Sequence, residues 1–107
     1  MASEKESVPV ESWRLAQGSQ LVGMLRLEGI DMFWTDCRFE PGPGWPAVRP
    51  LFEASRDAWL AHDLKAALAA DERIQQAGLV LIPDDNGEPL RNFIVRIQGD
   101  QARFKWW

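Results

Sequence analysis

The sequence predicts an α+β fold: a mainly antiparallel sheet of about six strands in the order βββααβββ, with two helices packed on one face. Two long stretches, Phe33 to Glu40 and Phe93 to Trp107, alternate apolar residues with charged residues and Trp at a period of two. That is the period of a half-buried β-strand. Between them, Val48, Phe52, Ser55 and Trp59, then Leu64, Ala67, Leu68, Ile74 and Ala77, recur at helical spacing.

Residues 1–11 are rich in Ser, Glu, Lys and Pro and leave little apolar surface to offset ordering entropy, so they read as a disordered lead-in to one domain over 12–107. The strand-like runs Ser12 to Ala16 and Leu21 to Glu28 flank Gly18-Ser19. A three-residue loop there puts Trp13 and Leu15 on one face with Gly23, Leu25 and Leu27, whereas a two-residue loop would group them with Val22, Met24 and Arg26. The first register is preferred. After a bend over Gly29 to Asp31, a third strand sends Phe33, Thr35, Cys37 and Phe39 one way and Trp34, Asp36, Arg38 and Glu40 the other.

Pro41-Gly42-Pro43-Gly44-Trp45-Pro46 stops that strand, because proline lacks a ladder donor and restricts the residue before it. A first helix is expected over Ala47 to Ala61 with Pro50 in its first turn, and a second over Leu64 to Ala77, capped by Asp63 and ended by Gly78. Strand structure returns at Leu79 to Ile82. The chain turns over Asp84 to Pro89 around Asn86-Gly87 and finishes as a hairpin, Leu90 to Gln98 and Gln101 to Trp107, about Gly99-Asp100.

The 107 residues suit a single core, and the net charge of −4 excludes a wholesale nucleic-acid coat, so any basic function has to be local. Cys37 is the only cysteine, which rules out an internal disulfide and fits a reducing, cytoplasmic setting. The first residues lack the apolar core of a signal peptide and no apolar run is long enough for a membrane span. No membrane association is expected.

The outward half of the strands is the unusual half. It carries Arg14, Arg26, Arg38, Arg96, Arg103 and Lys105, six of the chain's twelve basic residues, with Trp34 and Trp107, against Glu28, Asp36 and Glu40. A two-residue turn at Gly99-Asp100 sets Phe93 against Trp106, Val95 against Phe104 and Ile97 against Ala102. It also places Arg96 directly opposite Arg103, an unfavourable juxtaposition that calls for a partner. The partner is either an acidic neighbour such as Asp36 or Glu40, forming an ordinary solvated ion-pair ladder, or an external carboxylate, phosphate or acidic protein surface met by Arg forks.

Other conspicuous residues have structural readings. Trp13, Phe33, Phe39, Phe52, Trp59, Phe93, Phe104 and Trp106 fall on apolar faces and are expected in the core. Trp45 either anchors the Pro/Gly loop or is displayed for a partner. His62, the only histidine, sits at a helix end where the dipole explains it. Cys37 is expected as an inert buried thiol, though a Cys37/His62 dyad stays open at this stage. Asp84-Asp85-Asn86-Gly87-Glu88 lacks the spacing of an EF-hand and reads as a solvated turn. No phosphate loop, dinucleotide fingerprint, metal motif or nucleophile elbow is present, so no catalytic residue, cofactor or metal is assigned.

The succession Trp13-Arg14-Leu15, Gly23-x-Leu25, Cys37-Arg38-Phe39-Glu40-Pro41, Arg49-Pro50-Leu51-Phe52, Arg73-Ile74-x-x-Ala77-Gly78-Leu79 and Phe93-x-Val95-x-Ile97-x-Gly99-Asp100-x-Ala102-x-Phe104 resembles a family of small uncharacterised bacterial proteins of about this length. The resemblance covers nearly the whole chain after residue 12. It implies one intact domain and supplies no activity, cofactor or catalytic residue.

Two functional readings follow. One is a non-enzymatic interaction module that binds a protein partner, or a second copy of itself as a homodimer, through the outer sheet face or its edge, with Trp34 and Trp107 as anchors and Arg38, Arg96 and Arg103 as polar contacts. The other is a binder of single-stranded nucleic acid or an anionic ligand, in which indoles stack on bases and Arg meets phosphate. The net charge speaks against the second. An enzyme ranks third, needing a pocket between the helices and the Pro/Gly loop.

Overall fold

Every residue on the inner side of the strands is apolar or small, and six such strands can share one core only by curling around it. In the computed structural model, which describes residues 11–107 apart from Asn86, the elements run β1 (Ser12–Gln17), β2 (Gln20–Asp31), β3 (Trp34–Pro41), α1 (Trp45–Leu60), α2 (Leu64–Gln76), β4 (Leu79–Pro83), β5 (Phe93–Gln98) and β6 (Gln101–Trp106). The βββααβββ order and the α+β class are as expected. The six strands form one antiparallel sheet in the spatial order β4-β1-β2-β3-β6-β5.

The curl is read from one contact. β1 and β6 stand three strand spacings apart in the sheet, about 14 Å if it were flat. Yet the rings of Trp13 and Phe104 meet edge-on with centroids 4.9 Å apart. Around them Leu15, Leu25, Leu81, Cys37 and Phe39 are buried to 2 % exposure or less, joined by Val48 and Phe52 from α1 and Ile74 from α2. α1 packs along β5, and α2 packs on α1 and beside β4. Both sheet edges receive some cover: the Gln75 amide donates to the Phe93 carbonyl on β5, and Leu90 makes a reciprocal bridge to Leu81 on β4.

The grouping of Trp13 and Leu15 with Gly23 and Leu25 holds, but by another device. The turn has two residues, Gly18 and Ser19, and a bulge between Leu15 and Ala16 shifts the register. The bend expected at 29–31 is also displaced: β2 continues to Asp31 and the chain turns at Met32 and Phe33. The last hairpin has the expected register, with Val95 facing Phe104 and Arg96 facing Arg103.

α1 begins two residues earlier than expected, which moves Pro50 into its second turn, and it ends at Leu60. Trp45 is half-buried and packs against Phe39 and Phe52, with centroids 4.8 and 5.4 Å away, so the Pro/Gly loop is anchored by its indole. α2 ends one residue early, and its cap is as expected, the Asp63 carboxylate accepting from the Ala66 N–H at 3.1 Å. Its inner row is Ala67, Ala70 and Ile74. Leu64 and Leu68, expected on the apolar stripe, are exposed because the small alanines face inward. Three aromatics expected in the core are also corrected. Phe33 falls on the turn, Trp59 lies over an arginine at the margin of the helix pair, and Trp106 ends β6 beyond the covered interior.

The lead-in expected over residues 1–11 lies outside the described residues except for Glu11, whose carbonyl accepts the Leu27 N–H. The Asn86 half of the expected Asn86-Gly87 turn is also outside them. No helix among the described residues is long and apolar enough to cross a membrane.

Gly23 is where β2 has no room for a side chain, since a Cβ there would stand 2.4 Å from the Phe39 ring and 2.8 Å from the Glu40 carbonyl. Gly23→Ala is therefore expected to lower stability by about 1–3 kcal/mol. Urea denaturation measures this, and an unchanged midpoint would show that Phe39 is not held where the packing puts it.

Candidate functional site

The outward residues of β3, β5 and β6 gather around one indole. Trp34, the first residue of β3, has the Arg103 guanidinium 4.9 Å, the Lys105 ammonium 5.0 Å and the Arg96 guanidinium 5.8 Å from its ring centroid. Arg96 also lies 4.8 Å from the Trp59 ring of α1. Contacts of this kind contribute about 0.5–1 kcal/mol each at exposed sites.

The like-charge pair finds its partners inside the protein. Arg103 reaches Asp36 at 2.9 Å and Asp31 at 3.3 Å. Arg96 forks onto Asp71 of α2 at 3.4 and 3.3 Å, and the same carboxylate accepts the buried Ser55 hydroxyl at 2.8 Å. Asp36 was the expected neighbour; Asp71, from a helix, was not. A second like-charge pair, Arg26 opposite Arg38, is relieved by Glu40 at 3.1 Å from Arg26 and by Asp100 at 3.9 Å from Arg38. The ion-pair ladder thus accounts for Arg26, Arg38, Arg96 and Arg103.

Of the five residues singled out by sequence, Trp34, Arg96 and Arg103 share one cluster. Arg38 stands on the same face but pairs with the Asp100 turn. Trp107 lies past β6, exposed, with its N–H on the Asn92 carbonyl, and makes no aromatic pair with Trp34.

Two features escaped the sequence reading. The first is a groove of about 780 Å³ between the C-terminal half of α1 and the strands, with Phe52, Trp59 and Leu60 giving apolar wall and Arg56, Arg96 and Arg103 alternating with Glu28 and Asp36 giving charge of both signs. The second is the tip of the β2/β3 hairpin, where Ile30, Met32 and Phe33 are 73, 83 and 78 % exposed. β2 ends, β3 starts and β6 ends at this same end of the sheet, so Trp106 and Trp107 are exposed there too. Met32 has φ of 57°, a left-handed conformation that costs a residue with a Cβ about 1–2 kcal/mol. The available signal was negative: no Gly or Asn marks the turn between β2 and β3.

The catalytic candidates stay apart in character. His62 is exposed on the turn between the helices, while Cys37 is wholly buried. Burial, reinforced by the negative charges of Asp36 and Glu28, pushes the Cys37 thiol up to about 12 from an ordinary 9.0. Among the described residues no group of three His, Cys, Asp or Glu side chains is placed to hold a metal ion. No family model, no curated protein and no solved structure matches the chain.

Removing Asp71 strands both Ser55 and Arg96, so Asp71→Ala is expected to cost about 1–3 kcal/mol, whereas Glu40→Ala, which opens the exposed pair with Arg26, costs at most about 1 kcal/mol. Chemical denaturation of both variants checks the ranking, and equal losses would refute it. Cys37 should resist a disulfide reagent in the native protein and react on unfolding. Because its pKa is higher folded than unfolded, its contribution to stability is complete below the unfolded value and is lost as pH rises toward about 12. Cys37→Ala is expected to flatten that alkaline decline in denaturant midpoint.

Proposed function

We propose that this chain is a non-enzymatic interaction module that binds a protein partner, or a second copy of itself, through the Trp34 cluster and the aromatic end of the sheet. One observation carries this reading: large apolar side chains at Ile30, Met32, Phe33, Trp106 and Trp107 are displayed together beside a half-exposed, cation-ringed Trp34. Contiguous exposed apolar surface marks binding sites, and aromatics, Met and Arg are the residue types that interfaces concentrate. Its single buried thiol suits it to a reducing, cytoplasmic setting.

Binding of single-stranded nucleic acid or an anionic ligand is the weaker reading. Trp34 with its cations has the chemistry of a stacking platform, but Arg26, Arg96 and Arg103 already face carboxylates and the chain is acidic.

Affinity purification at physiological salt, with light scattering to count copies, compares the wild type with Trp34→Ala/Trp107→Ala, both folded by circular dichroism. A stoichiometric protein partner, a second copy included, is expected on the wild type and lost from the variant. A wild type that stays monomeric and retains nothing overturns the module. An oligonucleotide that quenches Trp fluorescence in a salt-dependent way, with the effect lost in Trp34→Ala, would put the nucleic-acid reading in its place.

A further inference from the structure

β2 pairs with β3 through Leu27 on Cys37 and, at the next rung, Gly29 on Asp36, so Glu28 is an extra residue with no counterpart across the ladder. A bulge of this kind re-aims a side chain and is over-represented beside binding sites. Glu28 and Gly29 both line the α1 groove. Gly29 is the second oddity, because its φ is not positive and a Cβ there would meet nothing within 4 Å. Neither backbone nor packing requires it, and a glycine inside a strand weakens the strand unless something else approaches closely.

The charges at the groove say what that something is. Arg56 meets Asp57 at 2.9 Å, Arg96 meets Asp71 at 3.3 Å, and Arg103 meets Asp36 at 2.9 Å and Asp31 at 3.3 Å. Four carboxylates already answer three guanidinium groups. Glu28 has no ion pair among the described residues and enlarges that negative surplus. An entering anion would compete with carboxylates already seated on the arginines, whereas a cation meets Glu28 without breaking any of these pairs. Beside it Trp59 and Leu60 keep exposed apolar surface, and a volume of about 780 Å³ is that of a small-molecule site.

We propose that the α1 groove binds a small organic cation, an ammonium ion on an apolar body, with the Glu28 carboxylate as its counter-ion, Gly29 leaving it room and Trp59 and Leu60 receiving the body. The site goes beyond the interaction-module reading and does not depend on it.

Phenethylammonium is the probe, and hydrocinnamate, of like shape and opposite charge, is its control; each is titrated into the isotope-labelled chain and followed by NMR. The ammonium is expected to shift the Gly29 and Gln101 amides and the Trp59 indole N–H along one saturable curve, with the carboxylate at least about tenfold weaker. Glu28→Gln keeps the size of an exposed side chain and is expected to weaken the ammonium at least about tenfold while leaving the carboxylate no weaker. Gly29→Val fills the room beside Glu28 and is expected to weaken the ammonium too, with Tm unchanged or raised because valine suits a strand. Circular dichroism verifies that both variants fold. A wild type without saturable shifts, shifts confined to residues away from the groove, equal affinity for the two probes, or ammonium binding indifferent to Glu28→Gln or to Gly29→Val overturns the proposal. None of these outcomes touches the partner lost from Trp34→Ala/Trp107→Ala, so the two readings fail separately.

Discussion

Curling is what makes this sheet a protein. A flat six-stranded antiparallel sheet of this length would bury one face only against a second layer larger than two short helices can supply. Bending brings Trp13 of β1 onto Phe104 of β6, so that the sheet supplies most of its own interior. The consequence is a pair of free edges, β4 and β5, left facing the remaining elements. The helices answer that need at β5, and the Leu90 bridge answers it at β4. Gly23 and the bulge at Leu15 and Ala16 are local adjustments to the same bend.

The charged surface follows from where the helices end up. Once α1 packs along β5 with α2 laid on it, Arg96 is within reach of Asp71 and of the Trp59 ring, and a residue of an outward strand position becomes a strut between sheet and helices. Ser55, buried in the same contact, is satisfied by the same carboxylate. The arginines are therefore part of the architecture as well as of any recognition surface. What the fold does not use is the apolar end of the sheet.

Period-two alternation made β3, β5 and β6 legible, and pairing about Gly99-Asp100 gave the contacts of Arg96 with Arg103 and of Val95 with Phe104. The Asp63 cap was legible because a side-chain oxygen at that position answers a free N–H. Phe33 was misplaced for a definite reason. Alternation assigns faces but cannot say where a strand stops, and a turn made of Met and Phe carries none of the residues by which turns are known. Asp71 was invisible because its role depends on how α2 is set against β5, a long-range relation with no trace in local pattern. Leu64 and Leu68 were drawn into the core by their hydrophobicity, while packing chose Ala67 and Ala70, which let the two helices approach.

The three tight turns also divide the contacts of the sheet by range. β1 with β2, β2 with β3, and β5 with β6 pair across two-residue connections, whereas Asp36 meets Arg103 and Trp13 meets Pro83 only after some two-thirds of the chain has intervened. Loop-closure entropy falls almost wholly on those two seams. The N-terminal meander and the C-terminal hairpin can each zip locally, so joining β6 to β3 and β4 to β1 is the step that bears the entropic barrier to folding. That step needs the helices between them, and with them the bend that the sheet ends by keeping.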